Sequence, residues 1–220
     1  DAPAWTGVLD PERHDPAMKV VLGTTGPIDM DAAIDLLLDH PATGPHVAAK
    51  LYRELVGLDP DDAAAQRLGA AFRRDYQVMP LVEAIVADPA FTSDAAIRAK
   101  VRTPLEKAAT VLQGLPRAVD VQPEAIAWML DKLAYLPFHA PNPAGFPRGS
   151  GLLDPARLLG GFELLNLVRN LDEEGAAAID IPLALGLFDL SDDTRSTLNR
   201  FPRAGMRLGL AFGCPEFLAV

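Results

Sequence analysis

His14 and Asp15 adjoin in the chain, with Lys19 four residues further on. An imidazole, a carboxylate and an amine in one irregular segment could transfer a proton or ligate a metal ion. The same side chains have a plainer use, because short polar groups ahead of Pro16 commonly bond nearby backbone and fix a turn. His40 offers a second acid or base. It follows the apolar run Leu36-Leu37-Leu38, where a protonated imidazole would favour the negative end of a helix, and Thr43 is placed to cap the next one. Lys50 is a candidate binding cation, although it shares a helical face with Arg53 and Glu54 and fits a solvated, salt-bridged surface equally well. His139 is followed by Asn142, Arg148 and Ser150 in a stretch too rich in proline and glycine to be helical, which would give a donor-rich concave site. The candidate catalytic residues are therefore His14, Asp15 and His40. The candidate binding residues are Lys19, Lys50, His139, Asn142 and Arg148.

Familiar catalytic signatures are missing around them. Gly149-Ser150-Gly151 lacks the spacing and the strand of a nucleophile elbow, and there is no Gly-x-Gly-x-x-Gly turn, phosphate loop or His-Glu-x-x-His pair. The four histidines are separated by 26, 6 and 93 residues, a spacing that favours no metal site, so neither a metal nor a cofactor is expected. Cys214 is the single cysteine, which leaves no internal disulfide and no cysteine metal cluster. With 20 basic against 30 acidic residues the formal charge is −10, and a phosphate backbone would be repelled. Nucleic acid is not an expected partner. No apolar stretch approaches the roughly 20 residues of a bilayer-spanning helix, so a soluble domain is expected. The opening Asp1-Ala2-Pro3-Ala4-Trp5 carries no targeting segment, as a mature form or a fragment would not.

Helices must position these residues. Asp59-Pro60, Thr103-Pro104, Asp154-Pro155 and Ser191-Asp192-Asp193 each combine a capping side chain with a good first helical turn. Thr103 and Glu106 also form a capping box. Apolar residues then recur at helical spacing, as in Val47, Leu51, Leu55 and in Ala64, Leu68, Phe72, while period-two alternation is not sustained. The pattern predicts helices near 30–39, 44–56, 60–74, 79–87, 93–100, 104–114, 123–134, 155–171, 173–186, 192–200 and 204–212, with Gly57, Gly114 and Gly175 as stops. The expected fold class is all-α: one irregular multi-helix array over residues 1–220, with little or no sheet. Two irregular stretches complete it, the segment 1–28 and the loop 137–153. Trp128, Tyr135, Phe138 and Phe146 are expected to pin that loop by aromatic burial.

Four segments carry a resemblance. They are Pro11 to Gly23; His40-Pro41-Ala42-Thr43 through Lys50-Leu51; Val101-Arg102-Thr103-Pro104-Leu105-Glu106; and Pro141-Asn142-Pro143-Ala144-Gly145-Phe146-Pro147 with Leu153 and Arg157. In order and spacing the chain resembles the C-terminal half of the bacterial family known as domain of unknown function 1800, and Cys214-Pro215-Glu216-Phe217 is similar to that family's closing Ser-Pro-Glu-Phe. The resemblance implies an exported protein, periplasmic or extracellular, and an N-terminal helical half encoded elsewhere or missing. It also implies an exported partner like the sulfatase and alkaline phosphatase group. The chain departs from the family's pattern with Gly44-Pro45-His46 in place of Ala-Arg-Phe and Ala49 in place of a basic residue. An anion site on those side chains is therefore not implied here. The leading expectation is an accessory or protein-interaction module that binds a partner protein or its own missing N-terminal half. The alternative is a hydrolase-like or metal-assisted enzyme that gathers His14, Asp15 and His40 in one cleft, with His139 as a fourth member.

Overall fold

Side-chain caps and well-placed prolines turn most of this chain into short helices. The computed structural model describes residues 9–114, 122–168, 173–187 and 189–220. Among them are twelve α-helices and a single two-stranded sheet, so the all-α expectation holds. No helix of the described residues is long and apolar enough to cross a membrane. Residues 1–8, at the start of the irregular segment expected over 1–28, lie outside the described part. The chain divides into two compact units: residues 1–52 with 59–85, and residues 53–58 with 86–220.

In the first unit a hairpin pairs β1, Lys19–Val21, with β2, Thr24–Gly26, in antiparallel register. Leu22 and Gly23 form its two-residue turn, both at positive φ, the geometry that matches strand twist. Next come α1 (Met30–Asp39), α2 (Thr43–Val56), α3 (Asp62–Phe72) and α4 (Val78–Val86). The Asp29 carboxylate caps α1 by accepting from Ala32 N–H at 2.9 Å. The last carbonyls of α1 are also engaged. Thr43 Oγ1 donates to Leu37, Tyr76 Oη to Leu38 at 2.8 Å and Arg73 Nη2 to Asp39 at 2.9 Å. Thr43 thus closes the preceding helix instead of capping the next. Two glycines let α2 and α3 touch: a Cβ on Gly69 would overlap the Gly44 and Pro45 backbone. Gly44, one of the departures from the family pattern, is what this contact requires.

The second unit holds α5 (Pro104–Gly114), α6 (Pro123–Lys132), α7 (Pro155–Gly160), α8 (Glu173–Ala177), α9 (Ile181–Leu185), α10 (Asp192–Arg200), α11 (Ala204–Ala211) and α12 (Pro215–Leu218). Its core joins Val111, Met129, Leu164, Leu167, Leu185, Leu208, Phe212 and Phe217, all nearly or wholly shielded from water. Gly114 ends α5 against α9, where a Cβ would overlap the Ala184 carbonyl.

Several boundaries differ from expectation. The start expected at Asp59-Pro60 falls at Asp61, whose carboxylate accepts from Ala64 N–H at 2.7 Å. Residues 93–100 form successive turns instead of a helix, because Arg98 has φ +60° and Lys100 is drawn into extended pairing with Val220. Residues 155–171 change at Gly160-Gly161 from α7 to a 3-10 segment, Gly161–Val168, and residues 169–171 lie outside the described part. Residues 173–186 divide in two, since Pro182 has no N–H to continue a helix and fits only a first turn, which Asp180 caps. Gly186 at φ +65°, not Gly175, supplies the stop. A 3-10 turn, Gly149–Leu152, sits inside the loop expected to lack helix.

Candidate functional site

The start of α5 organises the polar chemistry of the second unit. Glu106 N–H bonds Thr103 Oγ1 at 3.2 Å, and Thr103 N–H bonds Glu106 Oε2 at 2.8 Å, closing the capping box read from the sequence. Glu106 Oε1 also accepts from Lys100 Nζ at 2.7 Å, and the same ammonium lies 3.1 Å from Glu54 Oε2. Arg148 Nη1 reaches within 3.7 Å of Glu54 Oε1. The Tyr135 ring stacks on Phe146 at 4.3 Å. A groove of about 410 Å³ opens beside Lys100 and Glu54, walled by Phe91, Ile97 and Val220.

This network holds its charges in place. Burial works against the Lys100 ammonium, but its bonds to Glu106 and Glu54 outweigh that and raise its pKa. Burial opposes the Glu106 carboxylate too, and bonds from Lys100 and Thr103 bring its pKa below the usual value. Lys100 therefore stays protonated and Glu106 ionised through the neutral range, so neither is poised to exchange a proton. Thr103→Ala removes one side of the capping box and is expected to lower the stability of this unit by about 0.5–2 kcal/mol. Urea denaturation followed by circular dichroism checks it, and an unchanged midpoint would contradict this account of the cap.

The closing residues lock onto the strand before α5. Lys100 N–H donates to Val220 at 2.9 Å, Val220 N–H to Lys100 at 2.8 Å and Arg102 N–H to Leu218 at 2.8 Å. Arg102 is buried, with Nη1 bonded to Phe217 O at 3.0 Å and the guanidinium carbon 5.1 Å from the Phe217 ring centre. Glu216, also buried, accepts from Ser191 N–H and Thr194 Oγ1, each at 3.0 Å, at the start of α10. Burial opposes its charge, yet these bonds bring its pKa down to about 2. The Cys214 thiol is pushed up to about 11, chiefly by burial, and stays neutral.

In the first unit, α1 has an unusual outer surface. Met30, Ile34 and Leu37 recur at i, i+4 and i+7 along one face and are 56%, 47% and 54% exposed. Asp31, Asp35 and Asp39 form an exposed acidic row beside them, whereas Ala32, Ala33 and Leu36 are half-buried on the far side. The helix thus carries three stripes: inner apolar, acidic, and outer apolar.

Residues 3–219 match the family model described as Protein of unknown function (DUF1800). The chain belongs to that family. No curated protein and no solved structure matches it.

Within this DUF1800 chain the residues singled out from the sequence fall into three groups: turn residues, Lys50 on a helix, and Arg148. Most are engaged in turns. Asp15 Oδ1 accepts from Ala17 N–H at 2.9 Å, and Lys19 Nζ bonds the carbonyls of Asp15 and Ala17. The His14 N–H bonds Asp10 O at 3.0 Å. His40 Nδ1 accepts from Ala42 N–H at 3.2 Å. Asn142 Oδ1 accepts from Ala144 N–H at 2.8 Å, His139 is exposed with its N–H on Leu136 O at 3.0 Å, and Lys50 is exposed on α2. Arg148 alone of the eight joins the ionic network at α5. Among the described residues, no three His, Cys, Asp or Glu side chains gather closely enough to hold a metal ion. Of the aromatic residues expected to pin the loop, Tyr135 and Phe146 do stack. Phe138 is fully exposed at φ +67°, and Trp128 is half exposed.

Sequence reasoning missed Lys100, Arg102, Lys107 and Glu216 in this DUF1800 chain. Lys100 and Glu54 are 46 positions apart in sequence, and no local pattern announces their pairing. A basic residue directly before the capping box was the available signal for Arg102.

Proposed function

We propose that this chain is an accessory, protein-interaction module of an exported bacterial protein, acting in the periplasm or outside the cell. Its partner docks a basic amphipathic helix on the outer face of α1. The supporting observation is the row Met30, Ile34 and Leu37, each about half exposed, beside the acidic row Asp31, Asp35 and Asp39. Leaving three large apolar side chains in water on one helical face costs stability unless a partner covers them. An amphipathic partner helix meets such a face with anchors at i, i+3, i+4 and i+7, and lysines flanking those anchors would meet the aspartates. The resemblance points first to an exported sulfatase-like or phosphatase-like protein as the source of that helix.

The competing enzyme reading, built on His14, Asp15 and His40, has less support. Asp15 and His40 already spend acceptor atoms on turn amides, and Lys19 spends its ammonium on backbone carbonyls.

Titration calorimetry with an amphipathic Leu/Lys peptide tests the docking reading. The double variant Ile34→Asn, Leu37→Asn is expected to weaken binding roughly ten-fold or more, because each lost anchor removes about 1–2 kcal/mol. Asp35→Asn is expected to weaken it, whereas Asp131→Asn, an equal change of net charge in the other unit, is expected to leave it unchanged. Equal effects of the two aspartate variants would mean that only bulk charge is being read.

A further inference from the structure

Lys107 is an isolated cation in a buried place. It lies on the inner side of α5 with 5% of its surface exposed. Among the described residues no carboxylate or carbonyl takes its ammonium. Its charged neighbour is Arg102, which repels it, and burial with that repulsion lowers its pKa. A buried ammonium without a counter-charge is costly. Across a small cavity stands Arg157 of α7. Its Nη1 bonds the Asp154 carboxylate and, at 3.4 Å, the Gly151 carbonyl, but its buried Nε has no partner. Two donor-bearing side chains on two helices therefore line one cavity, and the buried Arg157 Nε there is short of an acceptor.

The rest of the lining is Pro104, Leu133, Leu152, Gly161 and Leu164, which offers no side-chain acceptor. Water centres can occupy about 10 Å³ of the cavity, room for one small sphere. A water there could satisfy Arg157 Nε but would leave the ammonium charge uncompensated. Phosphate and sulfate, each with several oxygens around a central atom, are too large for that space.

We propose that the cavity between Lys107 and Arg157 is a binding site for one small monatomic anion of the chloride class. The anion accepts from Lys107 Nζ and Arg157 Nε together and supplies the negative charge that the apolar walls lack. Because α5 and α7 each contribute one donor, the bound ion ties the capping-box helix to the segment that follows the proline-rich loop. Halide occupancy is then part of how the second unit keeps its shape.

Thermal unfolding of the full chain in a chloride series, with gluconate holding ionic strength constant, tests the site. The expected result is a saturable rise in melting temperature with chloride, since a ligand bound only by the folded state stabilises it by mass action. Lys107→Met keeps the side-chain length, removes the charge, and is expected to abolish that rise. A wild-type melting temperature indifferent to exchanging chloride for gluconate would overturn the proposal, as would a Lys107→Met protein that keeps the full chloride response. Should the variant not fold, anomalous diffraction from wild-type crystals soaked in bromide decides. A peak between Lys107 Nζ and Arg157 Nε supports the site; its absence there overturns it.

Discussion

Phe217→Ala is expected to lower the unfolding free energy of the second unit by about 3–5 kcal/mol, the range for emptying a fully packed aromatic position. Phe217 is completely buried, its ring centre is 5.6 Å from that of Phe212, and the Arg102 guanidinium sits over its face. The substitution leaves a cavity in the main core and removes the ring from a buried cation in one step. Phe162→Ala is the matched control, since Phe162 is well exposed and its loss should cost far less. Urea midpoints of the two variants check this. Similar midpoints would mean that the closing segment is not part of the core.

Glu216→Gln has the second-largest expected effect, and it depends on pH. The folded carboxyl titrates at about 2, below the value of about 4.3 that an unfolded glutamate takes. A depressed folded pKa gives stability that is fully present above the unfolded value and is lost as pH falls toward the folded one. Wild type should therefore lose about 2–3 kcal/mol through this group between roughly pH 4.5 and pH 2. Glutamine keeps one oxygen to accept from Ser191 N–H or Thr194 Oγ1, sets an amide NH2 where the other oxygen accepted, and carries no charge. The variant should be less stable than wild type at neutral pH by a similar amount, and the difference should shrink as acid is added. Stability curves that run parallel across that window would contradict this role for the charge.

Local signals placed much of the fold. The bounds of α1, α5 and α10 match expectation to the residue, since Asp29, Thr103 and Ser191 each bond an amide of the first turn from their own side chain. Non-local pairing defeated the same reasoning at residues 93–100. Lys100 at their end is committed to Val220, 120 positions away, and local periodicity carries no trace of that. The candidate site was legible to a similar degree. Glu106 was visible as part of a capping box, and Arg148 as a donor in a proline-rich loop. Lys107 was not, because on a helix a lysine reads as solvent-facing, and its burial depends on Leu133, Leu152 and Leu164 arriving from other segments. The turn chemistry of Asp15 and Asn142 was written in their short side chains next to proline.

Chemical-shift mapping of the labelled full chain, titrated with the amphipathic Leu/Lys peptide, tests the central claim most directly. The docking account predicts that amide shifts concentrate on Met30, Asp31, Ile34, Asp35 and Leu37, with Lys100, Glu106 and Arg148 unmoved. Shifts gathered around Lys100 and Arg148, with α1 silent, would contradict it.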